Sequence, residues 1–162
     1  MNQILLIVLI LIVAMVLWFN VLGLRSGPGP YKVWHTDIEK DTLENPHWRH
    51  IVDTSGNMQM SLMSVPVKQE LGWEVHPDND QFFRFEQGKG EVQTSKSPKH
   101  EKFESFPVKD GSGVIVPHGF YHNVVNTGDN ELKLYTIYAP PHHPPDTIDK
   151  THQDEIKRMH EE

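Results

Sequence analysis

The sequence predicts a mostly-β domain with an apolar N-terminal segment and short flanking helices. Short apolar stretches of strand length recur between residues 50 and 138, and turn residues separate them, which is typical of a sandwich or barrel. At 162 residues, the chain has room for one domain plus appendages. Its formal charge of −7 argues against a nucleic-acid partner, and the absence of cysteine excludes disulfides and thiolate metal ligands.

The first element is an apolar segment that is long enough to cross a bilayer as a helix. Residues 4–19 are uninterrupted, and 21–24 extend the run beyond Asn20, which supplies the roughly 20 residues that a spanning helix needs. A cleaved signal peptide is the alternative, but no basic side chain precedes the run, the apolar core is long and no good cleavage site follows. A buried core helix is less economical, because the remaining chain already accounts for one domain. We therefore predict an uncleaved transmembrane anchor over residues 1–24.

The predicted domain boundaries follow from this anchor. Residues 25–35 contain a stretch rich in Gly and Pro and are predicted to be a linker. The barrel is predicted over residues 36–150, and a short helix or tail over residues 151–162. Arg25 and Lys32 follow the apolar run, so the positive-inside tendency favours a single-pass membrane protein with a cytoplasmic domain.

Strands and turns dominate the predicted domain. A helix over residues 36–45, ended by Pro46, precedes them. Strands are predicted near residues 50–53, 57–65, 72–76, 81–86, 91–95, 103–106, 114–116, 121–125 and 132–138. In the second of these strands the apolar parity shifts between Leu62 and Met63, which indicates a bulge.

The C-terminal residues are predicted to leave the barrel. Residues 140–145 are rich in proline, cannot form a helix or a central strand, and are expected to lie as an extended arm over the domain. His142 and His143 belong to this arm, which could lie across the barrel mouth. Residues 151–160 are predicted to form a short helix with Thr151 as its N-cap.

A fixed pattern of glycine, proline, histidine and asparagine spans two predicted strands. It reads Gly111, five residues, Pro117-x-Gly119, two residues, His122, three residues and Asn126. This pattern resembles the second sequence motif of the cupin superfamily at every fixed position. His122 is therefore a candidate metal ligand near the start of a strand.

A stretch upstream of His122 resembles the first cupin motif, which usually reads His-x-His, three or four residues, Glu, six residues and Gly. Glu74 and His76 are two residues apart and so point the same way on a strand. Four residues separate His76 from Gln81, and six separate Gln81 from Gly88. The spacing fits the motif, with Glu74 where the first His is usual and Gln81 where Glu is usual.

The predicted metal site consists of Glu74, His76, Gln81 and His122. Because the chain offers only nitrogen and oxygen ligands, the predicted cofactor is a divalent transition metal: iron, manganese, nickel, copper or zinc. Glu74, His76 and His122 would form a two-His, one-carboxylate face with open positions for substrate or oxygen. Gln81 either binds the metal weakly or hydrogen-bonds one of its ligands. Considered alone, His122 fits a hydrogen-bonded core residue and His76 a turn residue, but the matched spacing of both motifs favours the metal site.

Asp80 is an alternative carboxylate one residue before Gln81. Choosing Asp80 would shift the parity of the strand and expose Phe83 and Phe85. Gln81 is therefore the predicted inward side chain.

The resemblance to small single-domain bacterial-type cupins covers most of residues 36–150. It implies an antiparallel double-stranded β-helix barrel with the metal ligands inside its mouth, and a homodimer is a reasonable expectation by analogy. Members often carry a sugar-phosphate isomerase-like label. We predict a metal-dependent enzyme, of isomerase or oxygenase type, that acts on a small polar molecule such as a sugar derivative. The alternative is a non-catalytic, membrane-anchored barrel that binds a small-molecule ligand.

Overall fold

The computed structural model describes residues 31–161. This part of the chain contains two helices and ten strands. Helix α1 covers Ile38–Glu44, and helix α2 covers His152–Glu161. The strands are β1 (Arg49–Thr54), β2 (Gln59–Val65), β3 (Glu74–Val75), β4 (Asp80–Gln87), β5 (Lys89–Ser95), β6 (Glu104–Lys109), β7 (Gly113–Val116), β8 (Tyr121–Asn126), β9 (Leu132–Ala139) and β10 (Ile148–Asp149). The prediction of a mostly-β fold with short flanking helices is confirmed.

The strands form two antiparallel sheets. The order in the six-stranded sheet is β10-β1-β2-β9-β4-β7, and the order in the four-stranded sheet is β3-β8-β5-β6. Burial alternates along β4, where Gln81, Phe83 and Phe85 are buried and the residues between them are more exposed. Because successive side chains of a strand point to opposite faces, this alternation directs Gln81 into the barrel together with the two rings.

The core between the sheets is built from aliphatic and aromatic side chains. Phe83, Phe85, Val92, Val124 and Leu134 are fully buried members of one hydrophobic cluster. Each such side chain contributes roughly 1.5–3 kcal/mol through removal of apolar surface from water. The cluster lies against the strands that carry the candidate ligands and holds them in place.

Both helices begin at polar caps. Asp37 precedes α1 and accepts a hydrogen bond from the Lys40 backbone N–H at 3.2 Å. Thr151 precedes α2, where its hydroxyl accepts from the Asp154 backbone N–H at 3.3 Å and its own N–H donates to the Asp154 carboxylate at 2.8 Å. These two hydrogen bonds satisfy the backbone N–H groups of Thr151 and Asp154 at the exposed start of α2.

The predicted membrane localisation needs correction. No helix among residues 31–161 is long and apolar enough to cross a bilayer. The helices described there have 7 and 10 residues, whereas a span needs about 20 apolar residues. The prediction of a single-pass membrane protein with a cytoplasmic domain is therefore withdrawn. The anchor predicted over residues 1–24 itself lies outside the described residues.

The bulge predicted at Leu62 and Met63 is absent from the pairing of β2. Every residue of β2 pairs in unbroken register with β9. The irregularity lies instead in β1, where the register shifts between Ile51 and Asp53. The apolar parity changes in β2 because both of its faces are covered: Leu62 and Met63 point in opposite directions and are both buried.

Candidate metal centre

Strand pairing brings two of the predicted ligands together. Glu74 on β3 lies directly opposite His122 on β8 in the antiparallel register. Opposed residues share a face of the sheet, and the Glu74 Oε1 atom lies 3.2 Å from His122 Nε2. The two motifs, which are far apart in sequence, therefore meet through the pairing of a two-residue strand.

His76 completes a cluster of three candidate ligands. It follows β3 and is buried, and its Nε2 atom lies 3.7 Å from Glu74 Oε1. Glu74, His76 and His122 each offer one ligand atom, and these three atoms lie within 4.8 Å of one another. Ligands at neighbouring positions around one metal ion, each bound at about 2.1 Å, would lie about 3–3.5 Å apart, so small side-chain movements would suffice.

Several polar atoms of this cluster have no hydrogen-bond partner. Both ring nitrogens of His76 and the Oε1 atom of Glu74 are buried without one in the described structure. Such atoms cost free energy unless something satisfies them, and an ion is one explanation. The donor set of two imidazoles and one carboxylate suits a divalent transition metal, so the residues present fit the cofactor that the sequence predicts.

The tautomer of His122 also fits a cation at this point. Its Nδ1 atom lies 3.1 Å from the Phe120 carbonyl oxygen, which only accepts, so Nδ1 carries the proton of a neutral ring. Its Nε2 atom then faces Gln81 Oε1 at 2.8 Å and Glu74 Oε1 at 3.2 Å, and both of these oxygens are acceptors. Three lone pairs converge here in this arrangement, and a metal ion bound among them would make it favourable.

Gln81 lies inside the barrel, as the parity of β4 predicts. Its side chain is buried, and its amide Nε2 donates to the Thr136 hydroxyl at 3.0 Å, which turns Oε1 towards His122. Gln81 is thus placed either to give a fourth, neutral oxygen to a metal ion or to hydrogen-bond His122. Asp80 lies on the opposite face, exposed to solvent, and accepts from the His118 backbone N–H at 2.9 Å. It therefore takes no part in the cluster.

Glu74 carries its charge in this environment. Burial alone would raise the pKa of the carboxyl, but the ring nitrogens of His122 and His76 and the charge of Arg49 together hold its pKa well below the ordinary value. The side chain is 29% exposed, whereas Oε1 itself is buried. Glu74 is therefore an ionised carboxylate at neutral pH, which is the form that binds a metal.

The proline-rich arm lies against the cluster. Gln59, buried on β2, accepts from the backbone N–H groups of His142 and His143 at 3.2 and 2.9 Å and donates to the His143 carbonyl at 2.8 Å. Asn79 donates to the Pro140 carbonyl at 2.6 Å. These bonds fasten the arm so that the His142 ring packs edge-on against His76, with ring centroids 4.2 Å apart.

A buried arginine, Arg49, holds the arm through a hydrogen bond to His143. The Nη1 atom of Arg49 donates to the Tyr138 hydroxyl at 2.6 Å and to His143 Nε2 at 3.1 Å. Its Nε and Nη2 atoms bind the Glu155 carboxylate of α2 at 2.9 and 2.6 Å. Burial, the charge of Arg49 and the neighbouring His142 lower the pKa of His143 to about 2. His143 is therefore neutral and accepts the arginine hydrogen bond.

No sequence pattern marks the residues that surround the cluster. Gln59, Asn79, Tyr138 and Arg49 have no motif of their own, and their contacts join parts of the chain 61 to 106 residues apart. The one signal in the sequence is the pair His142 and His143 in the proline-rich arm. A position across the barrel mouth is one of the two positions predicted for this arm. The arm does reach the cluster, through His142.

Comparison with known proteins places the fold and the two motifs in one family. The cupin domain profile matches residues 61–138. The uncharacterized protein YrkC of Bacillus subtilis (strain 168) is 42% identical over 137 residues, which cover 85% of this chain and 72% of that protein. The uncharacterized protein L612 of Acanthamoeba polyphaga mimivirus is 38% identical over 119 residues, which cover 73% of this chain and 72% of that protein. The crystal structure of BH2720 from Bacillus halodurans matches with a TM-score of 0.73 and 39% identity, over 82% of this chain and 97% of that chain. The chain therefore belongs to the cupin family, as its two sequence motifs predicted.

Proposed function

We propose that Glu74, His76 and His122 bind one divalent transition metal ion, and that the domain is a metal-dependent enzyme acting on a small molecule. The observation that carries this proposal is the pair of buried, unpartnered ring nitrogens of His76 beside an ionised carboxylate. Two imidazoles and one carboxylate leave part of the coordination sphere open. Gln81 would add a weak fourth ligand or hold His122 in place.

The bound ion would supply Lewis acidity, polarising a carbonyl or hydroxyl oxygen of the substrate. The protein's own contribution would be to orient and shield that oxygen. His142 and Tyr138 cover one side of the cluster with their rings, since each packs against His76, with centroids 4.2 and 5.6 Å away. Burial raises the pKa of the Tyr138 phenol, so this group stays protonated at neutral pH and is a hydrogen-bond donor rather than a base.

Metal analysis of variants tests the site. The parent protein, His76→Ala and His122→Ala would be purified in parallel and their metal content measured by elemental mass spectrometry. His118→Ala is the matched control, because His118 lies in the same turn region but is exposed and pairs with Asp80. We expect a stoichiometric metal in the parent and the control and little in the other two. Equal metal in all four proteins would end the proposal.

Reaction type is tested by oxygen consumption. An oxygenase consumes dioxygen with its substrate, whereas an isomerase converts its substrate without doing so. A panel of small polar metabolites, including sugars and sugar phosphates, would be followed with an oxygen electrode and by mass spectrometry, with His122→Ala as the metal-poor control. Turnover without oxygen uptake would support the isomerase type.

A second candidate is a barrel that binds a ligand without catalysis. The contact that favours it is the 2.8 Å approach of Gln81 Oε1 to His122 Nε2, which a proton on His122 would satisfy without any metal. The amide is also a weaker ligand than the glutamate usual at this position. Ligand binding by the metal-free protein, with no product from any metal-loaded form, would favour this second candidate.

A further inference from the structure

An open cleft separates the free edges of the two sheets. Strand β6 ends the four-stranded sheet and β7 ends the six-stranded sheet, and the two do not pair with each other. Between them lies a cavity of about 550 Å³. Side chains that line it include Phe106 and Val108 from β6, Val114 and Val116 from β7, and Phe120 from the turn that follows. Phe106 is 43% exposed although it has the inward parity of buried Val108, so this part of the barrel interior is open to solvent.

This cleft reaches the neighbours of the candidate metal centre. Thr94, which lines it, lies directly opposite His122 in the pairing of β5 with β8. Val116, which also lines it, lies directly opposite Gln81 in the pairing of β7 with β4. Opposed residues have their Cβ atoms about 5 Å apart on the same face. One end of the cleft is thus a single layer of side chains away from the cluster.

The same end of the cleft continues into a basic cavity. A second cavity of about 460 Å³ shares Thr94, Glu104 and Phe120 with the first and is lined further by Lys96 and Lys102. The Lys96 ammonium lies 5.4 Å from the centroid of the Phe120 ring. Within residues 31–161, neither lysine has a carboxylate at ion-pair distance. Glu104 is the one carboxylate among the described residues that line this second cavity, so its lining carries two positive charges against one negative charge.

We infer that the joined cavities bind an amphipathic anion, a small molecule with an apolar body between β6 and β7 and a carboxylate or phosphate head group at Lys96 and Lys102. The two volumes lie in the range of small-molecule sites, which are mostly apolar with a few polar groups that set orientation. Glu104 lines the shared part and repels an anion there, so the head group is directed to the lysine end.

The inference sets a limit on the substrate class. A free sugar needs many hydrogen-bond partners. Among residues 31–161, the polar side chains that line the first cavity are Thr94, Glu104 and Ser112. Sugar derivatives therefore suit this cleft poorly, because their hydroxyls would be buried against apolar side chains without partners. As a statement about substrate, the inference rests on the proposed function; as a statement about binding, it is independent of the metal.

Calorimetric titration of the full chain tests the inference, with decanoate as the amphipathic anion, decanamide as its neutral analogue and glucose 6-phosphate as the sugar phosphate. We expect decanoate to bind more tightly than either. The double variant Lys96→Gln/Lys102→Gln should weaken decanoate binding by roughly tenfold or more, since a charge-assisted contact is lost. Phe106→Ser should weaken decanoate and decanamide alike. Lys40→Gln/Lys157→Gln, which removes two exposed lysines on the helices, away from both cavities, should leave both unchanged.

The comparison among variants separates this site from binding elsewhere on the chain. Each variant keeps the apolar N-terminal residues, so decanoate bound there would contribute equally to all of them. Equal decanoate binding by the parent and the Lys96/Lys102 variant, or tighter binding of glucose 6-phosphate, would overturn the inference. So would a dimer by light scattering that excludes decanoate and dissociates in Phe106→Ser, since a second copy would then fill the cleft.

Failure of the metal proposal gives a different result. None of Glu74, His76 and His122 lines either cavity, so decanoate binding and metal content are separate readouts. If metal content is the same in His76→Ala, His122→Ala and the parent while the lysine variant loses decanoate binding, the metal proposal fails and anion binding in the cleft is supported. The reverse pattern supports the metal centre and contradicts anion binding in the cleft.

Discussion

Removal of the Glu155 carboxylate should cost a large part of the stability of this fold. Glu155 accepts from Trp48 Nε1 at 2.5 Å and from Arg49 Nε at 2.9 Å, and Arg49 is only 1% exposed. Glu155→Ala leaves a buried guanidinium without its ion-pair partner, which costs about 3–5 kcal/mol. Loss of the indole hydrogen bond adds roughly 1 kcal/mol. Helix propensity adds nothing to this loss of stability, because alanine is the best helix former.

Urea unfolding followed by tryptophan fluorescence measures this loss. With a slope of about 1–3 kcal/mol per molar urea, the expected change moves the midpoint by about 2 M. Glu161→Ala on the same helix is the control, because the contact of Glu161 with Lys157 is exposed and 3.9 Å long, and it should change little. Arg49→Met/Glu155→Leu should recover most of the loss, since it removes both charges. A loss below about 1 kcal/mol in Glu155→Ala would refute the account of Arg49 as a charge that depends on this partner.

Three further changes test other parts of the structure. Gln81→Glu should raise metal affinity, measured by competition with a chelator, because it gives the cluster a second carboxylate; unchanged affinity would place residue 81 outside the metal's reach. For His143, whose pKa falls to about 2 in the folded state, the unfolded chain binds more protons between that value and 6.5. Stability from His143 is therefore complete above pH 6.5 and declines as the pH falls, by up to about 1.4 kcal/mol per pH unit. His143→Asn should flatten the slope of unfolding free energy between pH 7.5 and 5.5. Gly90→Ala should lose about 1–3 kcal/mol in the same urea assay, because its Cβ would lie 2.6 Å from the Val125 carbonyl oxygen, and a neutral result would mean that the strands separate easily there.

The candidate cluster could be predicted from sequence because its geometry follows from short-range rules. A spacing of two residues places Glu74 and His76 on one side of the chain, and the turn before His122 starts the strand that carries it. Parity along β4 distinguished Gln81 from Asp80, since only one choice buries Phe83 and Phe85, and both rings are fully buried. Short-range rules do not predict the pairing of β3 with β8, which depends on the whole fold. The resemblance to the cupin motifs predicted that the two segments meet.

The surroundings of the cluster could not be predicted because they depend on contacts between distant parts of the chain. Arg49 begins a strand in which an arginine would ordinarily face solvent. It is buried because Glu155 reaches it from a helix 106 residues later, and because Tyr138 and His143 take its remaining donors. No local pattern marks a buried ion pair, since each partner alone has the features of a surface residue.

The different outcomes for β4 and β2 have one physical cause. Alternation between apolar and polar residues reports direction only where one face of a strand meets solvent. On β4 the residues between the buried rings are partly exposed, so Gln81 could be assigned to the barrel interior. On β2 the side chains from Ser61 to Val65 are all buried, and α1 packs against this strand, so an apolar residue at Leu62 carries no information about direction. A parity shift is therefore evidence for a bulge only at positions where one of the two faces remains exposed.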